Sequence, residues 1–241
     1  MLDLLLPTDC AGCGASGGQL CADCRHLLGT LRGRPLGPRP VPPGLPVPHS
    51  AGWYADPVRR LLLAHKERGA LPLAGPLGAV LARAVRSAVT PAVTPAAGAD
   101  LPGPLLLVPM PSTRRAVRAR GHDATLRLAR AAARELGRTG LPCRVAPVLR
   151  PTRRIADQSG LGAAERRRNL HGALTVPTRL RSRLAGLRPV LVDDLVTTGA
   201  TLAEAARALG AAGAPPLAAA TVAATAADRA DQADRAGRAG G

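Results

Sequence analysis

The sequence has no phenylalanine, one tryptophan, one tyrosine, and a single lysine, Lys66, among 33 basic residues. With only Trp53 and Tyr54 available for stacking, an aromatic platform for single-stranded nucleic acid is excluded. No apolar run approaches the ~18 residues of a membrane span, and the start of the chain lacks the basic segment and apolar length of a signal peptide. These absences predict a cytoplasmic protein with no membrane span and with reduced thiols.

A further absence concerns phosphate chemistry. The chain contains no Gly-x-x-x-x-Gly-Lys-Ser/Thr loop, so a nucleoside triphosphatase built on that loop is not supported. What the chain has in excess is positive charge: its formal net charge is +17, carried almost entirely by arginine. This excess favours anionic ligands such as polyphosphates or nucleic acid, although a GC-rich coding bias would also favour arginine over lysine.

Residues 190–201 combine an apolar run, two acids and a Thr/Gly turn. Val190 to Val192 predict a buried strand that leads directly into Asp193 and Asp194. The turn Thr197-Thr198-Gly199-Ala200-Thr201 follows, and apolar residues at helical spacing over 202–209 predict a helix that ends at a glycine. In open α/β sheets, ligands bind at the carboxyl ends of strands, which is where this turn lies.

Each part of this stretch suits one part of a ribose 5-phosphate. Backbone N–H groups, threonine hydroxyls and the positive end of a helix dipole together hold a phosphate, and Gly199 lets the backbone approach closely. The carboxylates of Asp193 and Asp194 accept hydrogen bonds from sugar hydroxyls or from a hydrated Mg²⁺. The plainer alternative is a threonine-capped helix with two solvated acids, but adjacent aspartates at the end of an apolar strand are costly without a partner.

Four cysteines near the N-terminus form two C-x-x-C pairs, Cys10 with Cys13 and Cys21 with Cys24. Four thiolates turned toward one point close a tetrahedral Zn²⁺ site with no open position, so the predicted zinc is structural rather than catalytic. Disulfides are the alternative, and the expected reducing compartment disfavours them. Cys143 lies far from these pairs and is interpreted as a small buried residue.

Two arginine-rich loops follow predicted strands. Residues 105–108 predict a buried strand that leads to Pro111 and Ser112, and Arg120 follows in a segment that either binds pyrophosphate bidentately or is an exposed basic loop. Residues 150–169 are polar and rich in arginine, as expected of a loop that closes over a polyphosphate.

The first half of the main domain contains the single lysine. Lys66 lies in the last turn of a predicted helix, where its ammonium either serves the site or complements the helix dipole as a solvated cation. A second helix is predicted from Pro76, and residues 87–104, with a tandem Ala-Val-Thr-Pro repeat, predict a mobile loop.

Composition divides the chain into four parts. We expect a four-cysteine zinc module at 1–32, a stiff Pro/Gly linker at 33–50, an α/β domain at 51–224 and a disordered tail at 225–241.

The stretch 190–201 closely resembles the 5-phosphoribosyl-1-pyrophosphate (PRPP) motif of type I phosphoribosyltransferases, in which apolar residues precede two acids and a Thr-Gly-x-Thr loop. The order of motifs from residue 4 to 223 resembles that of the ComF family. The motifs that carry this resemblance are the four cysteines, Tyr54-x-x-x-x-Arg59, Lys66, Val108-Pro109-x-Pro111, Arg120-Gly121, Gln158-x-x-Leu161, Glu165-Arg166 with Asn169, and the acid pair.

The resemblance implies a type I phosphoribosyltransferase-like fold, a Rossmann-like parallel sheet flanked by helices, with a small N-terminal zinc knuckle or ribbon. It implies catalytic roles for Asp193, Asp194, Arg120, Arg153 and Arg166. It implies PRPP binding by Asp193, Asp194, Thr197, Thr198, Gly199, Ala200, Thr201, Pro111, Ser112, Lys66 and Gln158. Zn²⁺ would be held by Cys10, Cys13, Cys21 and Cys24, and Mg²⁺ by Asp193 and Asp194 through ribose or water. His122-Asp123 stands where the family usually has an aromatic residue and asparagine.

The reaction implied by the family is displacement of pyrophosphate from PRPP by an acceptor that the sequence does not identify. Purine salvage enzymes of this fold usually carry an aspartate where Thr197 stands, which argues against a purine acceptor. Two other functions stay open at this point. One is a protein that binds PRPP or a nucleotide without turnover, and the other is a DNA-binding accessory protein for uptake of transforming DNA, with single-stranded DNA and the uptake machinery as partners.

Overall fold

A mostly parallel sheet forms the centre of the protein. The structure, a computed structural model, describes residues 9–93, 104–152 and 170–226. The strands of the main sheet are β1 (Arg34–Pro35), β2 (Pro48–Trp53), β3 (Leu105–Pro109), β4 (Cys143–Val145), β7 (Arg188–Val196) and β8 (Ala218–Ala224). They lie in the order β1-β2-β8-β7-β3-β4, and every neighbouring pair is parallel except β1 with β2. Two short strands, β5 (Arg150–Pro151) and β6 (Leu174–Thr175), pair antiparallel in a separate ribbon.

Helices cover both faces of the sheet. They are α1 (Ala22–Thr30), α2 (Val58–Glu67), α3 (Ala74–Val93), α4 (Arg114–Arg120), α5 (Ala124–Arg138), α6 (Thr178–Arg181) and α7 (Ala200–Gly210), with 3-10 turns at Leu71–Leu73 and Ser182–Leu184. Along β3, Leu105 and Leu107 join a core formed with α2, α3 and α5, whereas Leu106 and Val108 join a core formed with α7. This alternation follows from the two-residue period of a strand buried on both faces.

The chain leaves the middle of the sheet in opposite directions. From β3 it passes through α5 to β4 on one side, and from β7 it passes through α7 to β8 on the other. Right-handed crossovers in opposite directions place α5 and α7 on opposite faces of the sheet. The carboxyl ends of β3 and β7 therefore flank the point where the topology switches, which is where open α/β sheets bind ligands.

The N-terminal segment packs against the α/β core. Leu28 of α1 is buried in the same core as α3, and Arg83 of α3 donates hydrogen bonds to the carbonyl oxygens of Leu31, at 2.8 Å, and of Leu28. Residues 33–50, interpreted as a linker, supply β1 to the sheet and Leu45 to the second core. The division of the chain into domains stays a prediction.

Two elements are longer than the sequence analysis suggests. Helix α3 continues to Val93, so the loop predicted from residue 87 is wrong for its first seven residues, because the apolar spacing of α3 persists through the first Ala-Val-Thr-Pro copy. Strand β7 continues through the acid pair to Val196. Among the described residues, no helix has both the length and the apolar character needed to cross a bilayer.

Candidate functional site

The acid pair lies inside the last part of β7. The strand continues past it because Leu195 and Val196 pair with Ala223 and Ala224 of β8. Asp193 is half-buried and Asp194 is only 7% exposed. The Asp194 N–H donates a 2.8 Å hydrogen bond to Oδ1 of Asp193, which fixes one carboxylate against the backbone of the other.

The single lysine of the chain compensates this buried charge. The Nζ of Lys66, in the last turn of α2, lies 2.8 Å from Oδ2 of Asp194. Burial lowers the pKa of Lys66, but the charge of Asp194 and their hydrogen bond outweigh that effect, so the pKa is raised above its ordinary value. The ammonium therefore stays charged at neutral pH and is paired with Asp194 rather than solvated alone, while its role in binding a ligand stays a prediction.

The two aspartates differ in their environment. Burial, followed by the negative charge of Asp194, raises the pKa of Asp193 well above its ordinary value. Lys66 offsets only part of this because it bonds to Asp194 rather than to Asp193. Ionising Asp193 therefore costs free energy in the protein without a ligand.

The Thr-Gly turn connects β7 to the first turn of α7. Gly199 adopts a left-handed conformation with φ of 71° as the N-cap residue of α7, and it makes no side-chain cap hydrogen bond. The Ala200 N–H donates a long hydrogen bond, 3.4 Å, to the Thr198 hydroxyl oxygen, and Thr197 and Thr201 are exposed. An uncapped helix start next to exposed hydroxyls is a suitable place for a phosphate.

The proline-rich segment covers this turn from one side. A side chain at Gly199 would meet Cγ of Pro38 at 3.0 Å, Cγ of Pro42 at 3.2 Å and Cδ2 of Leu45 at 3.3 Å. Gly199 is therefore required both by its positive φ and by this close approach. The prediction of a linker at residues 33–50 gave no indication of this contact, because proline content alone does not reveal what a segment packs against.

The loop after β3 lies beside the acid pair. The Met110 N–H donates to the Val192 carbonyl at 2.9 Å, which continues the β3–β7 ladder up to the residue before Asp193. Pro111 and Ser112 follow, and the Ser112 hydroxyl donates to Oδ1 of Asp123 at 3.0 Å. The same oxygen caps α5 by accepting from the Leu126 N–H at 3.1 Å, so Asp123 ties the loop to the start of that helix.

Arg120, at the end of α4, pairs with Glu67, a residue that the sequence analysis did not predict to be near the site. Its Nε and Nη2 each lie 2.7 Å from an oxygen of Glu67, the residue after Lys66. This is a bidentate pair across 53 positions of sequence. The signal available in the sequence was only the adjacency of Glu67 to Lys66.

His122 joins the same two elements. Its Nδ1 lies 3.1 Å from the Arg120 carbonyl oxygen and its Nε2 lies 3.1 Å from the His65 carbonyl oxygen. The rings of His65 and His122 are tilted, with centroids 5.7 Å apart. The ComF family usually has an aromatic residue at this position. His122 likewise packs against a ring, that of His65, and it also connects the end of α4 to α2.

The predicted lid is only partly described. Arg153, Gln158 and Arg166 lie outside the described residues, so their roles stay predictions. The ribbon that flanks residues 153–169 is fixed to α7, because the Leu174 N–H donates to Glu204 at 3.0 Å and Arg207 bonds both Glu204 and the Leu174 carbonyl. Burial raises the pKa of Glu204, but the hydrogen bond from Arg207 leads the interactions that lower it overall.

The four N-terminal cysteines are positioned to bind a metal ion. The Sγ atoms of Cys10, Cys13, Cys21 and Cys24 all lie within 4.8 Å of one another. Sulfurs of a tetrahedral site with bonds of about 2.3 Å would be about 3.8 Å apart, so the cluster needs only a small contraction. Cys143 lies in β4 and is not part of it.

The pKa values of two thiols of this cluster move in opposite directions. Burial acts to raise the pKa of Cys10, but backbone N–H groups, that of Cys21 first, lower it to about 6. Burial and then the neighbouring thiols raise the pKa of Cys24. The thiolate of Cys10 is thus stabilised, whereas ionisation of Cys24 is unfavourable. A divalent cation bound by the cluster would favour ionisation of both.

The cluster also contacts α2. A side chain at Gly12 would meet Sγ of Cys24 at 2.8 Å, Cβ of Pro57 at 3.2 Å and Cγ of Leu61 at 3.3 Å. The four-cysteine loop therefore packs closely against the start of the helix whose other end carries Lys66.

Comparison with known protein families places the second half of the chain beside one of them. The sequence model of the phosphoribosyl transferase domain matches residues 124–236, just under half of the chain, and this region includes the acid pair, the Thr-Gly turn and α7. Among curated proteins, none matches the chain. The match and the mostly parallel, helix-flanked sheet confirm the predicted α/β, type I phosphoribosyltransferase-like fold class. A domain of this kind implies a ribose-phosphate ligand such as PRPP, and together with the four-cysteine cluster it fits a ComF-like protein.

The unequal environments of the acids predict opposite effects on stability. Because a raised folded-state pKa means that the native state binds more protons than the unfolded state, stability falls as pH rises through that pKa. We expect Asp193→Asn, which retains the oxygen that accepts from the Asp194 N–H, to raise the melting temperature, and more at pH 8 than at pH 5.

Asp194→Asn is the matched control. It removes the partner of a partly buried ammonium and should lower the melting temperature, because an unpaired buried charge is destabilising. Thermal unfolding followed by circular dichroism at both pH values measures the two effects. A lower melting temperature for Asp193→Asn at pH 8 would contradict this account of the acid pair.

Proposed function

We propose that the protein is a PRPP-dependent phosphoribosyltransferase of the ComF type, which transfers the phosphoribosyl group to an acceptor and releases pyrophosphate. One observation carries this proposal. The acid pair and the uncapped Thr-Gly helix start follow one another at the carboxyl end of β7, beside the topological switch point and within the matched region. That arrangement supports Asp193 and Asp194 as acceptors for ribose hydroxyls and the turn as the seat of the 5-phosphate.

The proposed reaction is a displacement at C1 of the ribose. The acceptor forms a bond to C1 and loses its proton, while the bond from C1 to the pyrophosphate oxygen breaks and its electron pair leaves with pyrophosphate. Two cationic side chains lie near the acid pair, Lys66 on Asp194 and Arg120 on the neighbouring Glu67. In this proposal they stabilise the negative charge of the leaving group, so the protein contributes charge placement rather than a covalent intermediate.

Mg²⁺ fits the donors that this site offers. The acid pair presents carboxylate oxygens, the ligands that Mg²⁺ prefers, and it already holds a cation in the form of the Lys66 ammonium. When bound with PRPP, Mg²⁺ would supply further positive charge against the pyrophosphate. Asp193 and Asp194 would hold it, directly or through ribose and water.

Two neighbouring functions differ from this proposal in a measurable way. A sensor would bind PRPP without turnover, so exchange of labelled pyrophosphate into PRPP, tested with candidate acceptors, separates it from a transferase. A DNA-binding accessory protein would bind through its +17 charge, and its affinity should collapse as salt concentration rises.

The proposal predicts that both acids are needed for PRPP binding. Asp193→Asn and Asp194→Asn should each weaken PRPP binding in the presence of Mg²⁺ by roughly tenfold to a hundredfold, as expected when charge-assisted hydrogen bonds are lost. Isothermal titration calorimetry measures the affinities. Asp56→Asn removes the same charge at an exposed position paired with Arg59, near the opposite end of α2, and should leave the affinity within about twofold. Equal affinity in all three variants would remove the ribose-phosphate interpretation.

We also propose that the four-cysteine cluster holds a structural zinc ion. Four sulfur donors leave no open position for a substrate, and the cluster lies at the N-terminal end of α2, away from the acid pair. Its contribution would be to fix the N-terminal segment against α2.

Metal analysis tests this second proposal. Purified protein should contain roughly one zinc ion per chain, and Cys10→Ser or Cys24→Ser should lose it and lower the melting temperature. Cys143→Ser, outside the cluster, should retain the metal. Metal content unchanged in Cys10→Ser and Cys24→Ser would refute the assignment.

A further inference from the structure

The last turn of α2 contacts both arms of the proposed site. His65 accepts a hydrogen bond at its carbonyl oxygen from His122, Lys66 pairs with Asp194, and Glu67 pairs with Arg120. Three consecutive residues thus connect the loop that precedes α5 with the acid pair of β7. Of these three residues, only Lys66 is among the site residues predicted from the sequence, and the role of Glu67 is unassigned.

Glu67 occupies the groups of Arg120 that an anionic ligand would use. Its two carboxylate oxygens accept hydrogen bonds from Nε and Nη2 of Arg120, at 2.7 Å each. The same pair of parallel N–H donors also fits two oxygens of a phosphate. The carboxylates of Asp123 and Asp194 have other hydrogen-bond partners. Asp123 accepts from Ser112 and from the Leu126 N–H, and Asp194 accepts from Lys66.

The exposure of the Glu67–Arg120 ion pair suits replacement of Glu67 by a ligand. The side chain of Arg120 is 19% exposed whereas that of Glu67 is 45% exposed, so the guanidinium is held in place while its partner borders solvent. An ion pair with one partner this exposed is weak. A pyrophosphate group carries more charge and more acceptor oxygens than one carboxylate, and it can therefore replace Glu67 on the same fork.

We propose that Glu67 is a specificity-determining residue of this site. In the ligand-free protein it occupies Arg120, and it yields that arginine only to a ligand that carries a pyrophosphate group. A ribose phosphate without pyrophosphate leaves the Glu67–Arg120 pair intact and gains nothing from Arg120. This inference rests on the proposed function, because it assigns the pyrophosphate of PRPP to Arg120.

Glu67→Gln tests the exchange directly. Removing the competing charge should tighten binding of inorganic pyrophosphate about two- to fivefold, the factor expected for loss of one exposed ion pair. Binding of ribose 5-phosphate should not change. Glu135→Gln is the control, because Glu135 also forms an ion pair, with the exposed Arg138, and the substitution changes the net charge equally. Calorimetric affinities for both ligands, measured in the full-length protein at fixed ionic strength, give the comparison.

Several outcomes would overturn the inference. Pyrophosphate affinity no tighter for Glu67→Gln than for Glu135→Gln would make Glu67 a structural residue only. Equal tightening for both ligands would indicate a general effect of charge rather than exchange at Arg120. If wild-type protein binds neither pyrophosphate nor PRPP, the proposed function fails and the inference fails with it, whereas a failure confined to Glu67→Gln leaves the proposed function intact.

A second measurement follows Arg120 itself. The Nε–H resonance of Arg120, identified by its loss in Arg120→Lys, should be protected from exchange in the ligand-free protein by Glu67. Addition of pyrophosphate should shift it, and addition of ribose 5-phosphate should leave it in place. A resonance that responds equally to both ligands contradicts the proposed selectivity.

Discussion

The structure around the candidate site depends on the ion pair between Lys66 and Asp194. Two consecutive aspartates in a buried strand would be strongly unfavourable without a cation, and one lysine of the chain meets that requirement at 2.8 Å. The pair requires the last turn of α2 to lie over the carboxyl end of β7. The N-terminal region contributes to that position, because the four-cysteine loop presses on the start of the same helix through Gly12.

Stability and function compete at this point of the sheet. Asp193 is retained although burial and Asp194 oppose its ionisation, and the N-cap residue of α7 is a glycine that supplies no side-chain cap. Both features cost stability in the free protein, and under the proposed function a bound polyol and phosphate would offset that cost. Such local costs, placed side by side at a topological switch point, are typical of a ligand site rather than of a structural element.

The local parts of the site could be predicted from the sequence, whereas the contacts between distant segments could not. The strand, acids, turn and helix of residues 190–210 are contiguous, and the four cysteines have a spacing that suits a metal. By contrast, Glu67 and Arg120 are 53 positions apart in the sequence, and Lys66 and Asp194 are 128 apart. Contacts over such separations leave no periodic pattern from which they could be predicted. The close approach of Pro38 to Gly199 was missed for the same reason, and β7 was predicted too short because carboxylates disfavour strand interiors.

The central claim is that the acid pair and the Thr-Gly turn bind a phosphorylated ribose between them. A crystal structure of the protein with PRPP and Mg²⁺ tests it most directly. The account predicts the 5-phosphate on the N–H groups of residues 198–201 and the ribose hydroxyls on Asp193 and Asp194. A ligand bound instead at the amino ends of β7 and β8, where Arg181 and Arg188 line a groove of about 590 Å³, would contradict it.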